Sequence, residues 1–298
     1  MTSTGHRFEL KTIVIATDLT HSGSCALQYA EKLAKQFGSK LVVIHAIDPA
    51  GYAFPQGLPK PVASDRKARR ALRQIELQLS HQGIPIHSVV ETGVIYERIL
   101  QAALDHSADL LVLGTRAVAK VGRAALGTAA RRLLVTAPCP IMTVPMSADA
   151  DLTHAGHWQN VLVATDFSEA SLIGLDRAQS IVSGQLVVVH VVGDRAAENR
   201  EPHLERLRFL APFNESHTVP VEHVVAPGEA GAVIAEQADR MHADLVVLGA
   251  PVDELQDEDF ATSTVLQVVA NVNCPVLCVP ATRVVSVADV MNELAVSH

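Results

Sequence analysis

The chain contains the same four short motifs twice in the same order, and this repeat is the strongest constraint on its fold. The first set is Ile13–Asp18, Leu41–Ala46, Ala108–Gly114 and Cys139–Pro145, and the second is Val161–Asp166, Leu186–Val191, Ala243–Gly249 and Cys274–Pro280. Repeated landmarks in a chain of 298 residues predict two domains of similar fold. We expect the first domain (copy one) at residues 1–146, a polar linker at 147–158 and the second domain (copy two) at 159–298.

Each copy alternates short apolar runs with amphipathic stretches. The apolar runs are continuous, which is typical of strands covered on both faces. Helical periodicity is predicted for Ser22–Phe37, Asp65–Gln82, Tyr96–Ser107 and Gly127–Thr136, and for a terminal stretch at Val287–Val296. Five strands and about four helices per copy, in alternation, indicate an α/β fold: an open parallel sheet with helices on both faces.

Composition narrows the functional classes. Hydrophobic residues make up 48% and aromatic residues 4%, so the cores must be aliphatic. The segment Met1–Leu10 is polar and unlike a signal peptide, and the longest apolar runs are too short to span a bilayer. Four cysteines are too few for a disulfide scaffold of this size. We therefore expect a cytoplasmic protein that makes no use of a membrane.

The net charge of −8 conceals an asymmetry between the halves. Residues 1–150 contain 17 Lys and Arg against 11 Asp and Glu, whereas the remainder contains 7 against 21. The halves should attract each other, and only the first is suited to anionic ligands. Nucleic acid is an unexpected partner, because the overall charge is negative and the basic residues are not interleaved with aromatic ones.

The loop that follows Gly114 is the best candidate for a binding site. Ligands of open parallel sheets bind beyond the carboxyl ends of the strands, where Asp18 and Gly114 lie. The loop contains Arg116, Lys120 and Arg123 and no acidic residue, and Gly127-Thr128 then begins a helix. A helix N-terminus with nearby cations predicts a phosphate site. The alternative is structural: Gly114 begins a plain turn, Thr128 caps the helix, and the three basic residues form a solvated face.

With these motifs, the sequence resembles the universal stress protein family. The resemblance rests on Val14–Asp18, His45–Asp48 and the loop, and it covers residues 11–145 and 159–280. The family's nucleotide motif, Gly-x2-Gly-x9-Gly-Ser/Thr, reads Gly114-x2-Ala117-x9-Gly127-Thr128 here. The resemblance implies the adenine-nucleotide alpha-hydrolase-like fold with strand order 3-2-1-4-5, and an adenosine phosphate (ATP, ADP or AMP) lying across strands 1 and 4.

The same resemblance implies a role for each matching residue. Ala16, Thr17 and Asp18 would line the nucleoside end, and the backbone of Ala46 would form hydrogen bonds with the adenine. The ribose and first phosphates would be bordered by Leu113, Gly114 and Ala117. The outer phosphates would be held by Gly127, Thr128 and Ala129, with Arg116 nearby. Apart from the resemblance, Asp18 is the only acidic residue expected beside the phosphates, and its two candidate roles are to hold Mg²⁺ or to orient a water. If the family glycine at 117 has a positive φ, alanine costs about 1 kcal/mol there, and we expect weakened binding.

Copy two departs from the motif at the same loop. It reads Gly249-x2-Val252-x9-Thr262-Ser263, with five acidic residues in the segment Asp253–Asp259 and no base. Its loop charge is −5 against +3 in copy one, which should repel phosphates. We expect copy two to be a degenerate partner in which Asp166 caps the helix at Ser168–Ser183.

Other residues give weaker signals. The 14 histidines show no metal-ligand spacing, so we expect no metal centre, and the equivalent pair His45 and His190 is predicted to be structural. The equivalent pair Cys139 and Cys274 indicates packing. One face of a predicted helix carries Arg66, Arg69, Arg70 and Arg73. A solvated face is the favoured interpretation, with docking of an acidic surface as the alternative.

Three functions follow. The first is a stress-response module that senses adenine nucleotide through copy one, with nucleotide altering the Gly114–Gly127 loop. The second is a weak ATPase or a protein that phosphorylates itself on Thr128, although no set of catalytic residues presents itself. The third is a chaperone-like interaction protein without nucleotide. The resemblance also implies that the last strands, Ile141–Val144 and Val276–Val279, pair within the chain. A homodimer and an unidentified protein partner remain open.

Overall fold

The structure is a computed structural model, and it describes residues 9–48, 61–117, 124–125, 127–146, 154–193, 199–212, 219–250 and 263–281. Three predicted features lie outside the described residues: the acidic segment Asp253–Asp259, the loop bases Lys120 and Arg123, and the terminal stretch Val287–Val296.

Copy one contains the predicted alternation of strands and helices. Its elements are β1 (Thr12–Ala16), α1 (His21–Phe37), β2 (Lys40–Ile47), α2 (Pro61–His81), β3 (Ile86–Thr92), α3 (Ile95–Asp105), β4 (Leu110–Gly114), β5 (Arg116–Ala117), β6 (Ala124–Ala125), α4 (Thr128–Thr136) and β7 (Ile141–Val144). Helix α2 begins at Pro61, four residues before the predicted start, because proline is well suited to the first helical position.

The described residues of copy two repeat the main strands and helices of copy one. The described elements of copy two are β8 (Asn160–Ala164), α5 (Glu169–Ile181), β9 (Gln185–Val192), α6 (Glu201–Leu210), β10 (Val221–Pro227), α7 (Ala230–Arg240), β11 (Leu245–Gly249), α8 (Thr264–Asn271) and β12 (Val276–Val279).

The main strands form one ten-stranded sheet in the order β10-β9-β8-β11-β12-β7-β4-β1-β2-β3. Each half therefore has the order 3-2-1-4-5 that the resemblance implied. The halves meet where β12 pairs antiparallel with β7, with Leu277 opposite Met142 and Cys278 opposite Ile141. All other pairs in this sheet are parallel. The predicted pairing of the last strands within the chain is confirmed.

Each face of the sheet carries one apolar cluster that runs through both copies. The first cluster includes residues of α1, α2, α5 and α6, and the second includes residues of α3, α4, α7 and α8. The central strand residues are completely buried, as Val14 and Val163 show with 0% exposure. Burial on both faces explains why the strand sequences are continuously apolar. Among the described helices, none is both long and apolar enough to cross a membrane.

The predicted linker ends inside the protein core. Ala155 and Trp158, both within the segment interpreted as polar linker, are 5% and 1% exposed. The Trp158 indole stacks on Phe37 with ring centroids 6.3 Å apart. Its Nε1 donates a hydrogen bond of 2.9 Å to the hydroxyl of Tyr29. The end of the polar segment therefore packs into the core, because the apolar area of one large aromatic side chain is buried there.

Candidate functional site

A cavity of about 320 Å³ lies at the carboxyl ends of β1 and β4, and we call it the copy-one cavity. Nine of the residues predicted to bind nucleotide line it: Ala16, Thr17, Asp18, Ala46, Leu113, Gly114, Gly127, Thr128 and Ala129. It is also lined by Gly23, Ile44, Ile95, Ile99, Ala130 and Leu133. Segments from Ala16 to Leu133 of the sequence thus meet at the sheet edge where open parallel sheets bind ligands.

The turn after β1 shapes one wall of this cavity. The Thr17 hydroxyl accepts a hydrogen bond of 3.0 Å from the Leu19 amide, and Asp18 Oδ1 accepts one of 3.0 Å from the Thr20 amide. Leu19 has φ of 60°, in the left-handed region that side chains rarely occupy. Side chains that bond the backbone two residues ahead stabilise such a turn. Asp18 therefore holds the entry to α1 as well as facing the cavity.

The end of β2 offers backbone groups to a ligand. The Ile44 carbonyl accepts a hydrogen bond of 2.9 Å from the Thr17 amide, at the end of β1. Backbone groups of a strand alternate in direction, so those of Ala46 point the same way as those of Ile44, beyond the last residue of β1. Ala46 lines the cavity, and its amide and carbonyl can pair with the edge of a planar ring there. An apolar wall of Ile95 and Ile99 belongs to the same cavity.

Helix α4 begins at the cavity. Gly127 is its N-cap, with φ of −67° and ψ of 163°, and Thr128 is the first helical residue, exposed to solvent. The interpretation of Thr128 as a cap is therefore wrong. The amides of the first turn have no partner within a helix, and they present partial positive charge to the cavity. This arrangement suits an anionic group such as a phosphate.

The hairpin formed by β5 and β6 continues from β4 toward α4. Arg116 pairs with Ala125 and Ala117 with Ala124, and the backbone of the hairpin lies against α8 of copy two. Ala117 is in a strand, so its backbone is extended and the strain expected from a left-handed residue does not arise. The described structure covers the backbone of Arg116 and Ala117, and their predicted ligand contacts remain predictions.

Copy two has a smaller cavity at the equivalent edge, about 140 Å³, which we call the copy-two cavity. Two substitutions narrow it. Ser171 stands where copy one has Gly23, and its hydroxyl lies 2.8 Å from the Thr165 hydroxyl. Val191 stands where copy one has Ala46. Sequence reasoning attributed the loss of this site to loop charge and missed the side chains that occupy its interior.

Asp166 forms the copy-two counterpart of the Asp18 turn, but it does not cap the helix. The cap is Ser168, whose hydroxyl accepts a hydrogen bond from the Ser171 amide, while Asp166 Oδ1 accepts one of 3.0 Å from the Ser168 amide. Burial disfavours ionisation of Asp166, yet the hydrogen bonds from Ser168, Ser171 and its own backbone together outweigh burial and lower the pKa of its carboxyl. The predicted capping role is wrong because the N-cap position lies two residues later, at a serine with the same capability.

The remaining candidate residues have structural surroundings. His45 Nδ1 donates to the Thr17 carbonyl and His190 Nδ1 to the Thr165 carbonyl, each over 2.8 Å, and each bond ties a strand end to the neighbouring turn. Burial raises the pKa of both Cys139 and Cys274 to about 12, so their thiols stay protonated and unreactive. No group of three or more potential metal ligands occurs among the described residues.

The basic residues on α2 lie on the solvent side of the helix. Arg66, Arg69, Arg70 and Arg73 are all exposed. Arg69 makes an ion pair of 3.0 Å with Asp65, one turn earlier. A solvated face accounts for this pattern.

Comparison with known proteins gives a consistent assignment. A universal stress protein of Thermus aquaticus is 33% identical over 138 residues, which is 45% of this chain and 98% of that protein. One from Mycolicibacterium smegmatis is 26% identical over 194 residues, 61% of this chain and 65% of that protein. The crystal structure of a universal stress protein from Archaeoglobus fulgidus has a TM-score of 0.73 at 18% identity, covering 92% of this chain and all of that one, which shows a common fold.

A family model provides the wider match. The model described as the universal stress protein family matches this chain twice, at residues 9–145 and at residues 157–280. The two matches correspond to the two copies and together span most of the chain. The chain belongs to the universal stress protein family.

Proposed function

We propose that the protein binds an adenine nucleotide in the copy-one cavity and acts as a stress-response sensor or regulatory binding module. The observation that carries the proposal is the convergence of two features on one cavity of about 320 Å³. The backbone edge of Ala46 and an apolar wall suit a purine ring. The amides at the start of α4 suit phosphates.

The asymmetry between the copies supports the same proposal. The copy-two cavity is less than half as large, and a serine and a valine replace the small residues of copy one. The basic loop belongs to copy one and the acidic loop to copy two. One nucleotide per chain is therefore expected, with copy two acting as a structural partner.

Binding is favoured over hydrolysis. Among the described residues that line the cavity, Asp18 is the one with a carboxylate. Its Oδ1 already accepts hydrogen bonds from the amide and the hydroxyl of Thr20. Hydrolysis of a phosphoanhydride needs a positioned water and stabilisation of the developing charge, usually from a metal and several residues. Asp18 is the candidate to hold Mg²⁺, the loop bases are the candidates to hold a triphosphate, and slow turnover would come from that assembly.

Two variants of one residue test the site. A Cβ added at Gly127 meets no atom within 4 Å, so both Gly127→Glu and Gly127→Gln should fold. The carboxylate of Gly127→Glu would repel a phosphate at ~5–6 Å, costing roughly 1–3 kcal/mol, or about tenfold to a hundredfold in affinity. Gly127→Gln has the same size without the charge and should bind nearly as wild type.

The measurements are native mass spectrometry of the purified protein, which detects retained nucleotide, and calorimetric titration with ATP, ADP and AMP. Equal affinities for wild type and Gly127→Glu would place the nucleotide elsewhere. Absence of binding for all three nucleotides would leave the chaperone-like interaction protein as the better description.

A further inference from the structure

A stack of aromatic rings joins helix α6 to the body of copy two. From α6, the ring of His203 stacks on that of His190, near the end of β9, with centroids 4.9 Å apart and planes at 24°. Phe167, in the turn after β8, has its ring centroid 4.3 Å from that of His190. The Arg206 guanidinium, one helix turn after His203, lies 4.0 Å from the centre of the Phe167 ring. We call these four residues the ring cluster.

Helix α6 buries little surface apart from this cluster. Of its ten residues, Leu207 is the one that is fully buried, and Leu204 and Leu210 are partly buried. At its far end, His223 of β10 donates a hydrogen bond of 2.8 Å to the carbonyl of Ala211. An element with few buried apolar side chains opens more readily than the whole protein unfolds. The ring cluster is therefore a substantial part of what holds α6 in place.

Copy one has aliphatic residues at three of the four equivalent positions. For α2 and α6 the repeat offset is 135, which pairs the buried leucines Leu72 and Leu207. The correspondences are Leu19 for Phe167, His45 for His190, Ala68 for His203 and Ala71 for Arg206. The histidine at the strand end is common to both copies, and in each it bonds to a turn carbonyl over 2.8 Å. The other three groups are thus particular to copy two and are not needed to place a helix there.

Protonation would place positive charges next to one another in the ring cluster. From α6, His190 is faced by His203 and Arg206, and from the turn after β8 by the carboxylate of Asp166. Its register partner on β10 is Val225, which has no charge. Two stacked imidazolium rings repel, and Arg206 adds a third positive charge against one carboxylate. A charge on His203, the third residue of α6, also opposes the partial positive charge of the helix N-terminus.

We propose that α6 is an acid-released element, which is docked on copy two while His190 and His203 are neutral and detaches when they are protonated. Burial is the main reason why the pKa of His190 lies below the ordinary value of 6.5. His203 and Arg206 lower this pKa further, against the opposing effects of the Thr165 carbonyl and Asp166. Detachment uncovers His190 and separates the cations, so the detached form has the higher pKa and binds the proton more readily. Docking of α6 is therefore complete at neutral pH and weakens as the pH falls below about 6.5.

Hydrogen–deuterium exchange of the full-length protein measures the opening of α6 directly. Exchange of peptides from α6 is followed by mass spectrometry at about pH 5.5, 6.5 and 7.5, and division by the intrinsic rate at each pH gives a protection factor. We expect the protection factor of α6 to fall about fivefold between the highest and the lowest pH, which one titrating histidine can supply. Helix α2 is the internal control, because it occupies the equivalent place in copy one without the ring cluster. Its protection factor should not fall.

Matched variants identify the groups responsible. His190→Gln removes the titrating ring and keeps a donor for the Thr165 carbonyl, so the protection of α6 should become independent of pH over this range. His45→Gln is the same change at the equivalent position of copy one and should leave the response of α6 unaltered. His203→Ala introduces the residue that copy one has at Ala68, so it should fold. Because it uncovers His190, it should lower protection at neutral pH and give no further fall in acid.

Three results would overturn the proposal. The first is a protection factor of α6 that stays constant across the range. The second is a parallel fall in α2 and α6, because a general loss of stability in acid would then explain both. The third is a wild-type response in His190→Gln, or in His203→Ala if His190→Gln does not fold, which would assign the proton to another group such as His223. The measurements use the protein without added nucleotide, so they do not depend on what the copy-one cavity binds.

Discussion

Gly23 and Ser171 occupy the same position in the repeat, and this difference distinguishes the copy-one cavity from the copy-two cavity. A Cβ at Gly23 would lie 2.6 Å from the Thr17 hydroxyl and 3.0 Å from Asp18 Oδ1. In copy two the serine is accommodated by a hydrogen bond to Thr165, and the cavity is smaller. The backbone at this position does not require glycine, and what glycine provides is the space that a side chain would fill in the cavity. Alignment of the two copies pairs Gly23 with Ser171, but only the structure shows that this position lines a cavity.

Gly23→Ser should convert the copy-one cavity toward the copy-two form. Because the added side chain occupies space beside Thr17 and Asp18, we expect nucleotide affinity to fall by about tenfold or more. The free energy of unfolding should change by less than about 1 kcal/mol, since copy two folds with serine at this position. Calorimetric titration and urea denaturation give the two quantities.

Ser24→Ala is the matched control, because Ser24 is exposed and is one residue farther along the same helix turn. It should bind nucleotide as wild type does. If Gly23→Ser also retains wild-type affinity while Gly127→Glu loses it, the difference between the copies depends on loop charge alone.

At the scale of elements, the sequence predicts what local patterns determine. The four helices of copy one, α5, and the eight strands that contain the repeated motifs occur where periodicity and continuous apolar runs place them, with ends shifted by a few residues. Strand order came from the family resemblance, since periodicity carries no information on neighbours. The hydrogen bond between Trp158 and Tyr29 was beyond prediction, because the two residues are 129 positions apart and no local pattern indicates that they meet.

The pairing of β7 with β12 fixes a register that chemical cross-linking can test. Cys278 lies opposite Ile141, and opposite residues of antiparallel strands have Cα atoms about 4.5–5.5 Å apart, within the span of a disulfide. Ile141→Cys should therefore form a disulfide with Cys278 when the protein is oxidised in the presence of a catalyst. A catalyst is needed because burial raises the pKa of Cys278 to about 12. Mass spectrometry of peptides without reduction detects the bond.

Met142→Cys is the control for this register. Its partner is Leu277, and its side chain lies on the opposite face of the sheet from that of Cys278. It should give no disulfide with Cys278. A bond from Met142→Cys and none from Ile141→Cys would mean that the strands are shifted by one residue.

At the scale of the whole molecule, the two copies share their apolar clusters and are not separate domains joined by a linker. Both apolar clusters contain residues of both copies. Trp158 joins them directly, because it precedes β8 and is packed against Phe37 and bonded to Tyr29, both on α1. The opposite net charges of the halves add a weaker, salt-dependent attraction.

The shared core predicts a single unfolding transition for the two-domain chain. Calorimetry, circular dichroism and Trp158 fluorescence should give coincident midpoints, because neither copy can unfold without exposing the apolar surface of the other. Trp158→Phe removes the buried hydrogen bond to Tyr29 and part of the packed ring, and it should lower the free energy of unfolding by about 2 kcal/mol while leaving one transition. Two separated transitions in the wild-type protein would show instead that the copies fold independently, and Trp158→Phe would then shift only one of them.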